Sequence, residues 1–339
     1  MKLLPANSNP TFRRPLLDLL WKQWSGLGAA GSGEPEAARW IDIEALVLIT
    51  TSQGRHEARL FDEMLDWLWA NGSWVNVQRL RNLHRHLALG DGRVLGAIAE
   101  FLSRRAKLAK WKPLAKSDSP AQPASPEPLF LHDDGRVQLV FGEADPVFLQ
   151  WGFWRGPHQL RHLSRTPNPL SAAGLLYKLR ALFGVQARCE VLLWLLSHEG
   201  GRPTDIARAT CYFPKTVEDT LKELTASGLV REAKRGRENH YGLDPAEWAF
   251  LRTWKKPAGF PEWIDWPRQF AIVEKIFAVL ERTDLSENLL SSELRRVVEK
   301  LQPMLADGQL LSAFAVSREH TGTLFTEVLT KDLCGLLGR

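Results

Sequence analysis

The order of elements over residues 185–244 limits the fold more than any other part of the sequence. An apolar helical pattern is predicted to end at the glycine pair Gly200-Gly201. A short helix is predicted next over Thr204–Thr210, with Thr204 in a capping position at its start. A turn, a second helix and a basic hairpin follow. This order predicts two helices that pack at an angle, followed by two antiparallel strands.

The second helix is predicted over Lys215–Ser227. Pro214 precedes it at a first helical position, where the missing N–H costs nothing. Apolar residues then recur at i, i+4 and i+7 and predict one buried face: Val217, Leu221 and Leu224. The polar residues predicted to face outwards are Lys215, Thr216, Asp219 and Lys222. Gly228 is predicted to end the helix in a left-handed conformation.

The residues IARATCYFPKTVEDTLKELTASGLV (206–230) and REAKRGRENHYGL (231–243) resemble the winged helices of MarR- and ArsR-type transcriptional regulators. The resemblance covers about 60 of the 339 residues. It implies a recognition helix over residues 214–227 that enters the DNA major groove. It also implies a basic wing over residues 230–243 that contacts the minor groove or the phosphate backbone.

The residue types fit those two roles. Lys215 and Thr216 lie in the first turn of the recognition helix, from which side chains reach base edges. The wing concentrates cations that suit phosphates. The predicted DNA-binding residues are Thr204, Lys215, Thr216, Lys222, Arg231, Lys234, Arg235, Arg237 and His240. Because Glu218 and Asp219 reduce the positive charge of the helix, we expect modest affinity and a homodimer that doubles the contact.

Composition divides the chain into five ranges. Residues 116–128, KSDSPAQPASPEP, contain four prolines and predict an extended linker. An N-terminal helical domain precedes it over residues 1–115. After it we predict a short β-hairpin and loop over 129–170, with the turn at Asp133-Asp134-Gly135, a winged-helix domain over 171–256 and a C-terminal helical region over 257–339. The predicted class is mainly α, with a winged helix-turn-helix domain, its small β-wing, and helical domains on either side.

A second, degenerate helix-turn-helix is predicted inside residues 1–115. Leu65–Trp69 before Gly72 repeats the pattern of Leu193–Leu196 before Gly200. The helix that follows, Val77–Leu87, is basic, as is the downstream stretch. The cations concerned are Arg79, Arg81, His84, Arg85, His86, Arg104, Arg105, Lys107, Lys110 and Lys112. Two interpretations stay open, a second DNA-contacting surface or a solvated helix face.

No signature of an enzyme, cofactor or metal is complete. The glycines of Gly26–Gly31 follow a helix instead of a strand, and His158 and His162 are separated by Gln159 without a third ligand. Three cysteines without a CxxC pair predict neither disulfides nor zinc. We therefore expect a non-enzymatic, soluble, cytoplasmic protein without cofactors, and no membrane segment.

The net charge of +5 is compatible with a polyanionic partner, and we predict a transcriptional regulator that binds double-stranded DNA. Two alternatives stay open. The winged helix could serve as a protein-interaction module, for example as the antitoxin-like partner of a neighbouring gene product. An enzyme with an unrecognised site is the other.

Overall fold

The computed structural model describes residues 10–31, 34–117, 125–132, 136, 138, 142–255, 257–305, 314 and 317–338. The chain is mainly helical, which confirms the mainly-α part of the predicted class, and the described part contains two small two-stranded sheets. No helix of the described part is both long and apolar enough to cross a lipid bilayer.

The elements are numbered here in chain order. The helices are α1 (Pro10–Gly26), α2 (Ile43–Gln53), α3 (Ala58–Asn71), α4 (Val77–Leu87), α5 (Gly92–Arg104), α6 (Lys112–Ser117), α7 (Pro146–Gln150), α8 (Leu175–Phe183), α9 (Ala187–Leu196), α10 (Pro203–Thr210), α11 (Pro214–Ala226), α12 (Trp266–Leu280), α13 (Glu287–Lys300), α14 (Gln302–Leu305) and α15 (Gly322–Gly338). The strands are β1 (Glu127–Pro128), β2 (Phe153–Trp154), β3 (Arg231–Arg235) and β4 (Glu238–Gly242).

Helix α2 lies at the centre of the fold. Asp42 caps it by accepting a hydrogen bond from the Ala45 N–H at 3.0 Å. Its sequence is apolar on all sides, and nearly every residue is buried. Helices α1, α3, α4, α5 and α12 pack around it. The sequence analysis assigned no helix here, because an apolar stretch without a polar face has no amphipathic period to detect.

One core joins the two ends of the chain. Helix α1 packs against α15, α12 packs against α2 and α4, and α13 packs against α12 and α15. The buried apolar side chains from Leu16 to Leu337 form a single connected cluster. The ranges predicted as N-terminal and C-terminal helical regions therefore contribute to the same core.

The predicted linker is structured at both ends. Residues 118–124 lie outside the described residues, but Lys116 belongs to α6 and residues 127–128 form β1. Strand β1 pairs in parallel with β2, so that Glu127 lies opposite Phe153. Residues 127–128 of the predicted linker are thus extended, but a partner 26 residues further along the chain pairs with them.

Half of the predicted hairpin can be described. The turn residues 133–135 and residues 137 and 139–141 lie outside the described residues. The His132 N–H donates to the Arg136 carbonyl at 2.7 Å, and the Gln138 N–H donates to the Phe130 carbonyl at 3.2 Å. These bonds follow the antiparallel pattern that the sequence predicts.

A buried ionic cluster connects the N-terminal helices to α8 and α9. We define it as Asp42, Glu44, Arg79, Arg180 and Glu190, all of which are buried. Arg79 contacts Asp42 at 2.7 Å and Glu44 at 2.9 Å, and Arg180 contacts Glu44 at 2.7 Å and also Glu190. At its edge the Tyr212 hydroxyl donates to Glu190 at 3.0 Å. Each buried charge is thus paired, as burial requires.

Candidate nucleic-acid interface

Helix α10 begins one residue earlier than predicted. Pro203 is its first residue, and Arg202 precedes it without a side-chain capping bond. The prediction that Thr204 caps the helix is therefore wrong, because the proline fixes the helix start at residue 203 and places Thr204 inside. Thr204 is exposed at this end of α10. Its neighbour Asp205 accepts hydrogen bonds from Arg202 at 2.7 Å and Arg208 at 2.5 Å.

The turn between the two helices is short. Cys211 ends α10 in a left-handed conformation with φ of 60°. Phe213 is extended and Pro214 is the first residue of α11, as predicted. The side chain of Phe213 is 56% exposed at the start of α11, and its ring contacts His86 of α4 with centroids 6.1 Å apart. The turn is thus held between α4 and the start of α11.

The two faces of α11 are those that the sequence predicted. Val217 and Leu221 are fully buried, and Leu224 is nearly so. These three residues lie on the buried side of α11, which packs against α9 and α10. The outward residues are exposed, namely Lys215, Thr216, Asp219 and Lys222. Gly228 follows the helix with φ of +79° and donates its N–H to the Thr225 carbonyl at 2.9 Å, which confirms its predicted role.

The basic hairpin is present with the predicted tip. Strands β3 and β4 are antiparallel, with Arg231 opposite Gly242 and Arg235 opposite Glu238. Gly236 has φ of +66° at the tip, a conformation that glycine adopts without strain. His240 is half-buried opposite Ala233.

Gly201 attaches the hairpin to the helices, although the sequence predicts it only as part of a helix end. The Gly201 N–H donates to the Tyr241 carbonyl at 2.9 Å, and the Tyr241 N–H donates to the Gly201 carbonyl at 2.9 Å. A Cβ at Gly201 would lie 2.6 Å from the Trp194 ring. The glycine pair between an apolar helix and a helix-turn-helix was the available signal for this close approach.

The cations at the hairpin tip have no acidic partners. Lys234, Arg235 and Arg237 are exposed, and they form no ion pair with any described residue. Arg231 differs, because it pairs with Glu247 at 2.6 Å. Three predicted wing residues therefore offer their charge to a partner, whereas the charge of the fourth is already shared.

The cations of α11 are neutralised locally. Lys215 pairs with Asp219 at 2.7 Å and Lys222 pairs with Glu218 at 2.6 Å, both at i,i+4. All four side chains are largely exposed, so each pair contributes about 0.3–0.5 kcal/mol and exchanges readily. The net charge of α11 is therefore small.

Only some of the basic side chains predicted as a cationic face within residues 1–115 are exposed on the protein surface. Arg79 is fully buried in the ionic cluster, and Arg105 donates to both oxygens of Asp145 at 2.9 and 3.1 Å. Lys110 donates to the Ser73 and Val75 carbonyls. Arg85 and His86 remain exposed on α4. The interpretation of Arg79 as part of a solvated or DNA-contacting face is wrong, because its guanidinium balances two buried carboxylates.

The histidine pair has no chelating geometry. His158 is buried with its Nε2 2.8 Å from an Asp66 oxygen, and His162 is exposed with φ of 54° in a segment without helix. The i,i+4 spacing therefore does not bring the rings to one face. Within the described ranges, no group of three or more His, Cys, Asp and Glu residues is arranged to hold a metal ion.

Comparison with known proteins adds no relative. No protein-family model, no curated protein and no solved structure matches the chain. The functional assignment therefore depends on the geometry and charge of α10, α11 and the β3–β4 hairpin.

Proposed function

We propose that residues 171–256 contain a winged helix that binds double-stranded DNA, and that the protein regulates transcription. In this proposal α11 enters the major groove and the β3–β4 hairpin contacts phosphates. The resemblance to MarR- and ArsR-type regulators supports the same assignment. A homodimer would present two such helices to half-sites about one helical turn apart.

The attachment of the hairpin supports the winged-helix part of the proposal. The mutual hydrogen bonds between Gly201 and Tyr241 link β4 to the segment before α10. In a winged helix, a short extended segment between the first and second helices pairs with the hairpin and so joins the wing to the helix-turn-helix. The order α9, Gly201, α10, α11, β3, β4 has that arrangement.

The observation that carries the DNA-binding part is the set of three exposed cations at the tip, Lys234, Arg235 and Arg237, without ion-pair partners among the described residues. Exposed cations that form no ion pair are available to neutralise phosphates and release counterions. They recognise charge and shape, not sequence. Base recognition would come from Lys215 and Thr216 at the start of α11.

One observation favours protein binding as a second candidate function. The exposed side of α11 carries Glu218, Asp219 and Glu223 beside its two lysines, and Arg188 already pairs with Glu223 at 2.9 Å. Such a mixed surface suits a protein partner as well as DNA. In that case affinity for DNA would be weak at all salt concentrations.

The test is a DNA-binding titration across a salt series. The probe is a fluorescent duplex from the region upstream of the protein's own gene, compared with a scrambled duplex, between about 50 and 200 mM NaCl. The variant Lys234→Ala, Arg235→Ala, Arg237→Ala should weaken binding to both duplexes and lower the salt slope by about two to three units.

A charge-matched control separates the wing from net charge. Arg14→Ala, Arg282→Ala, Arg296→Ala removes three exposed cations from α1, α13 and the α12–α13 connection. It should leave the slope nearly unchanged. Equal slopes for the two triple variants would remove the wing from the interface. Absence of salt-sensitive binding by the unmodified protein would favour the protein-binding function.

A further inference from the structure

A cleft of about 390 Å³ opens at the start of α4. Asn76, Val77 and Gln78 of the first helical turn line one side. Pro113, Leu114 and Val185 form an apolar side opposite. The remaining charged residues of the lining are Arg81 and Lys110. Among the described residues that line this cleft, none is acidic.

Arg81 has donor capacity that the protein leaves unused. It is half-buried, and its Nη2 donates to the Gln78 amide oxygen at 2.9 Å. Its buried Nε has no hydrogen-bond partner among the described residues. Its only side-chain partner among the described residues is thus a neutral amide, so the positive charge of Arg81 is not balanced by a local acid and favours an anion in the cleft.

Lys110 supplies the second cation. Its stem is largely exposed, while its ammonium lies against the Ser73 and Val75 carbonyls, 2.7 Å from the latter. The loss of water around this ammonium lowers the pKa of Lys110 to about 8. Carbonyls compensate only partly for that desolvation, and an anion nearby would restore the ordinary pKa.

The helix itself contributes to the same lining. The first N–H groups of an α-helix have no acceptor within the helix and favour negative charge. The Asn76 side chain accepts from the Arg79 N–H at 3.1 Å, and Asn76, Val77 and Gln78 at this helix start line the cleft. Two cations beside the start of a helix suit the negative charge of a phosphate group.

We propose that this cleft is a phosphate-binding site. The phosphate can come from the DNA backbone or from a free phosphorylated small molecule, and the chemistry of recognition is the same. Binding of a DNA-backbone phosphate rests on the proposed function. The cleft lies close to α11 along the chain, because Val185 of the cleft is followed by Gln186–Arg188, which line a groove together with Thr216 of α11. The free source does not depend on DNA binding.

The test uses the full chain and inorganic phosphate, titrated by calorimetry at constant ionic strength against chloride. Arg81→Gln should weaken phosphate binding by about tenfold or more, since a charge-assisted bond to a phosphate is lost. Lys110→Gln should weaken it as well. Arg85→Gln, one turn further along α4 and outside the cleft, is the matched control and should leave the affinity unchanged.

A DNA-binding titration distinguishes the two sources of phosphate. If the backbone phosphate is the ligand, Arg81→Gln lowers the salt slope of DNA binding by about one unit and Arg296→Gln does not. If phosphate binds and the DNA slope stays constant, the ligand is a free phosphorylated molecule. Equal effects of Arg81→Gln and Arg85→Gln on phosphate binding, or no effect of Arg81→Gln in either arm, would overturn the site. The wing triple variant reports separately on the proposed function.

Discussion

Substitutions on the buried and exposed faces of α11 should affect different properties, stability on the first and DNA recognition on the second. Leu221 is fully buried, so Leu221→Ala should lower the free energy of unfolding by about 2–5 kcal/mol through a cavity. Lys215 is exposed and its pair with Asp219 is weak, so Lys215→Ala should change stability by less than about 0.5 kcal/mol. It should instead relax preference at one base position, by about 1–3 kcal/mol.

Two measurements check this prediction, urea unfolding and binding to a panel of duplexes with single-base changes. Uniform weakening of Lys215→Ala on all duplexes would assign Lys215 to a phosphate. If its binding is unaltered on every duplex, α11 does not face the groove, and the protein-binding function becomes the better proposal.

The ionic cluster should make stability depend on pH in a defined direction. Burial opposes the charge of Glu44, but Arg180 and Arg79 outweigh it and hold the pKa of that carboxyl below its usual 4.5. A carboxyl with a lowered folded-state pKa stabilises the fold above its unfolded pKa, and this contribution disappears as pH falls through the folded pKa.

Arg180→Met should therefore cost about 3–5 kcal/mol at neutral pH, because Glu44 and Glu190 lose a shared partner. The difference from the unmodified protein should shrink as pH falls below about 4.5, where Glu44 begins to protonate. Urea unfolding at several pH values measures it. Arg296→Met, which breaks an exposed pair, is the control and should cost less than about 1 kcal/mol at every pH. A pH-independent loss for Arg180→Met would contradict the electrostatic account.

At this scale the sequence predicted exposed residues better than buried charges. Val217, Leu221 and Leu224 follow from spacing alone, and so do the exposed lysines of α11. Arg79 could have been suspected, because it lies beside Leu80 and one turn before Leu83 on the apolar face of α4. Its partners Asp42 and Glu44 are more than 30 positions away, and no local pattern links such residues.

At the scale of elements, the attachment of the β3–β4 hairpin depends on Gly201. A methyl group there would lie 2.6 Å from the Trp194 ring and disturb the hydrogen bonds with Tyr241. Gly201→Ala should lower the free energy of unfolding by about 1–3 kcal/mol through overpacking, and it should weaken DNA binding beyond what the loss of stability explains.

Gly259→Ala provides the matched control for this change. No atom lies within 4 Å of a Cβ at Gly259, and its φ is not positive, so the same substitution should be neutral within about 0.5 kcal/mol. Unfolding curves and the salt series are measured for both variants. Equal stability of the two variants would mean that position 201 tolerates a side chain without loss of the hydrogen bonds between residues 201 and 241.

Elements with a local pattern were predictable, and those that depend on distant pairing were not. Periodicity predicted α3, α4, α5, α8 and α11, since each has one apolar face. Helix α9 is buried on nearly all sides and was predicted from its run of apolar residues before the glycine pair. Strand β1 has two residues and exists only because it pairs with β2 after a long connection. Proline-rich composition gave the opposite expectation there, because composition describes solvation but not tertiary partners.

At the scale of the whole molecule, residues 171–256 are fixed to the N-terminal helices by several independent contacts. Asn76 donates to the Tyr212 hydroxyl at 2.9 Å, and Arg79 donates to the Thr210 carbonyl at 3.2 Å. Trp74 packs edge-on against Tyr177, with ring centroids 4.9 Å apart. The first two contacts involve the end of α10 and the short turn before α11, and the third involves α8. The orientation of α11 is therefore determined partly by residues outside 171–256.

An isolated fragment of residues 171–256 should consequently be much less stable than the same range within the full chain. Arg180 loses Glu44 and the Trp74 carbonyl, which it contacts at 2.7 Å in both cases. Tyr177 and Tyr212 lose the side chains that pack against them. We expect no cooperative thermal transition for the fragment, and DNA binding weaker than that of the full chain at equal salt. Calorimetry and the duplex titration, with the full chain carrying the same tag as control, measure both quantities. A fragment that melts cooperatively near the temperature of the full chain and binds with equal affinity would show that the N-terminal helices are dispensable for orienting α11; the predicted range 171–256 would then be a self-sufficient folding unit.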